Sequence, residues 1–164
     1  MLDTFFQWLH ETSLAATIRA NPLWFPWIES VHVLAITVVV GSIAAVDLRL
    51  LGVASRSRPI TRKIREILPL TWVAFAIALL SGVALFSSNA IQYAHNTPMQ
   101  MKMLLLLAAA INMLIFHFVT YRSVAAWDEA ARTPVAVRLA GATSLLLWVG
   151  IVAFGRWIGF TIGF

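Results

Sequence analysis

The run from Pro26 to Val53, PWIESVHVLAITVVVGSIAAVDLRLLGV, decides the class of fold. Between Ser30 and Val46 its only ionisable side chain is His32; the rest is aliphatic or small. A helix needs about 20 predominantly apolar residues to cross a hydrocarbon core of ~30 Å, and this run has enough. Three more stretches share its character, at about 68–88, 98–121 and 138–160. The composition agrees: 60% of the 164 residues are hydrophobic and 12% charged, with a mean hydropathy of +0.84. Soluble domains carry about twice that share of charge. The chain therefore reads as an all-α, polytopic membrane protein, a four-transmembrane-helix bundle forming one domain over 1–164, with no room for a separate soluble module.

Punctuation and charge place the spans. Pro26 and Pro98 suit the first turns of their helices, where a missing N–H costs nothing, and Thr97 is a candidate N-cap before Pro98. Pro134 punctuates the connection before the fourth span. Arg56, Arg58, Arg62, Lys63 and Arg65 lie between spans one and two, with Arg49 at the edge; Arg122, Arg132 and Arg138 flank the third connection. The other face has Arg19, Lys102 and Arg156. By the positive-inside rule both termini and the second loop face outward. The net charge of +5 thus reports topology and lipid headgroups, not nucleic acid.

The first 22 residues, MLDTFFQWLHETSLAATIRANP, read as retained rather than as a signal peptide: Asp3 stands where a basic region is expected and polar residues interrupt the apolar ones. Phe5, Phe6, Leu9, Leu14 and Ile18 alternate with Gln7, Glu11 and Arg19, the pattern of an amphipathic interfacial helix. It reads either as a membrane-surface helix or as a lid over an outer site. Trp24, Phe25 and Trp27 form an aromatic anchor before the first span.

Small residues recur every four positions: Ala74, Ala78 and Gly82 on span two, and Gly155, Gly159 and Gly163 at the end of span four. Such ridges let helices approach closely, within the bundle or between copies in a homo-oligomer.

His32 and His117 are the chemically informative residues, because an ionisable group inside a span marks a pathway, a partner or a cofactor. An imidazole there is either a hydrogen-bonded packing residue or an axial ligand. His32 lies six residues after Pro26 and His117 nineteen after Pro98, or ~9 Å and ~28 Å from the outer side. Being ~20 Å apart in depth, they belong to two sites, not to two faces of one haem. The outer site has His95 and His10 as candidate second ligands, and Lys102 and Arg156 as cations for haem propionates. The inner site has only His117, with Arg49, Arg65 and Arg122 near it.

The segment HNTPMQMKM offers a second reading. His95, Met99, Met101 and Met103 supply imidazole and thioether groups suited to Cu(I), with His10 as a further ligand. Against this, methionines also simply pack at helix starts, and Met101 leaves the face shared by Met99 and Met103. Glu29 and His32 form one Glu-x-x-His, whereas di-iron bundles need two with two further glutamates. Glu29 is expected to pair with Arg156 or Lys102, or to orient His32. Asp47 and Arg49 read as an interfacial ion pair, or as part of a proton path. Asn112 is expected to bond across helices. The chain has no cysteine, which excludes disulfides, thiolate metal sites and covalent c-type haem. It also lacks the spacings of a hydrolase.

VHVLAITVVVGSIAAVDLRLLG on span one, LPLTWVAFAI on span two, KMLLLLAAAINMLIFH on span three and GRWIGF near the C-terminus resemble an uncharacterised family of small four-helix bacterial integral membrane proteins. The resemblance runs from Ile28 onward and implies the fold without a reaction. The architecture is more loosely similar to four-helix di-haem cytochromes b, which hold haems between histidines on facing helices. Spans two and four here carry no histidine.

The expected function is that of a multi-pass b-type haem protein of the bacterial inner membrane. It would hold one or two haems and pass electrons across the membrane or at its outer face to a redox partner. The alternatives are a copper-binding or accessory protein, and a cofactor-free oligomeric scaffold.

Overall fold

The computed structural model describes residues 2–53, 59–128 and 133–162, so Arg56, Arg58, Arg132 and Gly163 lie outside the described residues. These are helical, with no strand among them. In chain order the helices are α1 (Leu2–His10), α2 (Ser13–Ala20), α3 (Trp24–Leu50), α4 (Ile60–Ser88), α5 (Ala90–Ala94), α6 (Thr97–Ile115) and α7 (Val135–Thr161). α6 runs on through a π-helical turn, Phe116–Thr120, and a 3₁₀ segment, Tyr121–Ala126. Four helices are long and apolar enough to cross a membrane: Trp24–Leu50, Ile60–Ser88, Thr97–Ala125 and Val135–Thr161.

The expected spans are present, and all four helices begin before the expected bounds, at 24, 60, 97 and 135 instead of 26, 68, 98 and 138. α4 starts at Ile60, not near Leu68, and takes Arg62, Lys63 and Arg65 into its first turns. Pro69 lies inside it, removing one backbone donor without ending the helix. Hydropathy reports where a helix meets hydrocarbon, whereas the hydrogen-bond ladder extends into the headgroup zone. The N-terminal segment is two helices, not one. Thr12 breaks it by accepting from Ala15 N (3.3 Å), an N-cap that starts α2. At α6 the cap is Asn96, whose side chain accepts from Met99 N (3.0 Å); Thr97 and Pro98 are the first helical residues.

Just past the end of α3 the chain turns at Gly52, at φ 74°, in the left-handed region that favours glycine. Gly52 N–H donates to Arg49 O and Val53 N–H to Leu48 O, both at 3.0 Å. This paired closure satisfies two terminal carbonyls before the chain enters the loop.

The packing order is α4 on α3, α3 on α7 and α7 on α6, while α4 and α6 share little or no close backbone contact. The bundle is thus open between α4 and α6, whose outer ends are linked through α5. Its apolar centre lies at the inner end, where Leu50, Ile60, Trp127 and Val137 are buried together, with Val46, Ile64, Phe116 and Val124 against them. Asp128 reinforces that end: it accepts from Thr61 N (3.0 Å) and from the Thr61 hydroxyl, capping α4 from the connection before α7. Thr133 donates to Leu50 O (2.8 Å), tying the same connection to the end of α3.

α1 and α2 pack on the outer ends of α4 and α5, and α2 also touches α3. Phe6 meets Phe86 edge-on, and Arg19 donates to Ser88 O (3.0 Å). The segment is therefore docked on the bundle, not merely laid beside it.

Candidate functional site

His32 projects from α3 towards α4, where its Nδ1 stands 2.9 Å from the Ser81 hydroxyl. Ser81 directs its single O–H at Ile77 O (2.6 Å), with Ala78 O further away at 3.2 Å. A hydroxyl has one proton to give. A Ser81 proton placed on that carbonyl leaves the oxygen to accept from Nδ1–H, the tautomer in which Nε2 carries the imidazole lone pair; a proton turned to the ring gives the other tautomer. The Ala78 carbonyl lies within reach of the ring as well. Gly82 makes the approach feasible: a Cβ there would stand 2.9 Å from His32 Cε1. The small-residue ridge on α4 is thus a seat for a histidine as well as a packing surface, with Ala74 buried about two turns away.

Lys102 enters from α6. It is half-buried, lies along α7 at Gly155, where a Cβ would be 3.6 Å from Nζ, and is within electrostatic reach of His32. No hydrogen bond or ion pair engages its ammonium among the described residues. Four helices therefore contribute to one outer-half locality: His32, Ser81 with Gly82, Lys102, and Gly155.

The other expected outer residues go elsewhere. Arg156 is exposed and lies over the Phe160 ring, 5.1 Å from its centroid. Glu29 pairs with neither Lys102 nor Arg156, and the orienting partner of His32 is Ser81 instead. Glu29 neighbours Tyr93 on α5; burial pushes the Tyr93 phenol up, and the Glu29 charge adds to it. His95 lies 3.4 Å from an Asp3 carboxylate oxygen, while His10 meets Arg19 Nη1 at 3.3 Å. Asp3 and His10 are at opposite ends of α1, ~10 Å apart along its axis, so these two histidines sit in separate contacts. Met99 is half-buried, and Met101 and Met103 are exposed. Among the described residues no group of three or more His, Asp or Glu gathers as a metal site.

His117 stands in the π-helical turn, exposed on the outside of the bundle, its ring stacked on Tyr121 at 5.4 Å and 15°. A π turn inserts an extra residue and re-aims the side chains that follow. Arg65 and Arg122 are exposed. Arg49 is 3% exposed and donates to Asp128 O at 3.4 Å. The expected Asp47–Arg49 ion pair is absent: two residues apart on a helix, the side chains leave in different directions. Asn112 does bond across helices, donating to Ala140 O of α7 (3.2 Å).

Residues 5–161 match the model of a family of unknown function, DUF6644. The chain belongs to that family. The match runs from within α1 to the end of α7, so the N-terminal pair of helices falls largely within the family's unit along with the bundle. No curated protein and no solved structure matches the chain.

Sequence reasoning singles out His32 and Lys102 but does not reach Ser81, which stands next to Gly82 of the small-residue ridge. A serine facing an intramembrane histidine at the same depth is the signal that could have found it.

Proposed function

We propose that this chain is a b-type haem protein of the bacterial inner membrane, in which His32 would hold the iron and Lys102 would offset a propionate. The observation that carries the reading is the Ser81–His32 hydrogen bond. Haem- and metal-ligating histidines commonly donate their second ring N–H to an oxygen acceptor, which fixes the tautomer and the ring's orientation. Ser81 is such an acceptor, itself held by Ile77 O. The donor chemistry of His32 and the unengaged ammonium of Lys102 fit a haem carboxylate and iron together.

When bound, the group would supply reversible one-electron chemistry at the outer half of the membrane. The protein's part is to orient His32 through Ser81, to offset carboxylate charge with Lys102, and to keep the surroundings apolar. His10 and His95 are engaged by Arg19 and Asp3, so the reading is of one haem with one protein ligand from this subunit. His117, facing away from the bundle, is no part of that site. The redox partner would approach from the outer face, where α1, α2 and α5 lie.

An absorption spectrum of the purified, haem-supplemented protein tests the reading. A Soret band that shifts on dithionite reduction is expected. A colourless protein, fully folded and expressed with ample haem, would overturn it.

A further inference from the structure

Asp47 lies near the inner end of α3, 5% exposed, and its Oδ2 has no hydrogen-bond partner among the described residues. The Ser144 hydroxyl of α7 is within hydrogen-bonding reach of the carboxyl. The backbone of Asp47 presses on α7 at Gly141, where a Cβ would stand 3.2 Å from Asp47 O. The charged groups around it are occupied in other directions. Arg49 on its own helix reaches Asp128 O, and Lys63 of α4 neighbours Arg49. Asp128 in the connection caps α4 through Thr61. On α7, Arg138 is exposed, and α6 contributes the neutral Asn112, which donates to Ala140 O.

A carboxylate removed from water with no cation beside it is strongly unfavourable, so a bound cation must neutralise it. Calcium takes six to eight oxygens and magnesium six. One carboxyl and one hydroxyl are far short of either. A proton needs one oxygen, and Oδ2 is available.

We propose that Asp47 is a proton-exchange site of the inner half of the membrane. Its Oδ2 takes one proton from the inner aqueous side and returns it there, with the Ser144 hydroxyl within reach of the carboxyl. The step converts carboxylate to carboxylic acid and back, with no change of oxidation state. It stands independently of haem at His32.

Dicyclohexylcarbodiimide tests this, because it modifies protonated carboxyls in apolar surroundings. The full chain in lipid vesicles is treated over a pH series and the adduct is located by mass spectrometry. An adduct at Asp47 that declines as pH rises, unaffected by sodium, is expected. A water-soluble carbodiimide should leave Asp47 unmodified, and D47N should remove the adduct while keeping the thermal midpoint within a few degrees of wild type. No adduct at Asp47 at any pH would overturn the proposal. So would protection by sodium at constant pH, which would make the site one for a metal cation. The labelling is read on the wild-type chain, so the result stands whether or not the variant folds.

Discussion

Ser81 has one hydroxyl proton, and whether it is given to Ile77 O or to the ring determines what His32 can offer. Ser81→Ala leaves Nδ1 without that partner and frees the ring to turn. Outer-shell partners of ligating histidines are commonly worth 10- to 100-fold in affinity, so S81A should weaken haem retention by about that factor in a haem-transfer titration. Unchanged retention would show that the hydrogen bond does not orient the ligand. Gly82→Ala acts on the same ring by contact. Its methyl would meet Cε1 at 2.9 Å, too close for either atom to stay in place. At this scale the sequence is informative about which residue types carry chemistry and silent on which partner each finds. His32 was legible because a lone imidazole stands out in an apolar run. Its partnership with Ser81 was not, because it depends on the register of α3 against α4, and ridge spacing alone does not set that register.

Among the elements, the ends are better specified than the faces. Asn96 caps α6 and also donates to Thr161 at the end of α7 (2.8 Å), joining the outer ends of those helices. Asn96→Ala should cost about 1–2 kcal/mol, the upper part of the range for a lost cap, and lower the thermal midpoint in detergent. Asp128 does the corresponding work at the inner end. Burial alone would raise its carboxyl, but hydrogen bonds from Thr61 and the Ile60 backbone, with Arg49 nearby, hold it below the usual carboxylate range. Its folded-state pKa is therefore depressed, so its contribution is present above the unfolded value and is lost as pH falls through the folded one. Asp128→Asn should accordingly lower the thermal midpoint at neutral pH and narrow the gap to wild type in acid. A gap that is constant with pH would contradict this. Helix ends were partly readable from sequence, as Pro98 and Pro134 show. The extension of α4 back to Ile60 was not, since charged residues in headgroup surroundings leave no apolar trace.

At the scale of the whole molecule, composition carries the fold class, because the bilayer permits few spanning structures, and the charge asymmetry predicts an orientation. What they cannot carry is which faces turn inward. Lipid is as apolar as a protein core, so amphipathic contrast nearly disappears in a span. Accordingly no residue of α6 is buried, although its sequence is as apolar as its neighbours'. Orientation is directly testable in a chain without cysteine. A membrane-impermeant maleimide should label Thr17→Cys in intact spheroplasts and Ser123→Cys only after permeabilisation; the reverse pattern would invert the topology. The central claim concerns His32 and is tested most directly by the dithionite-reduced minus oxidised spectrum of wild type, H32A and H117A, purified at matched folding. The account predicts a Soret difference band in wild type and H117A that is lost in H32A. A band of full intensity in H32A would contradict it.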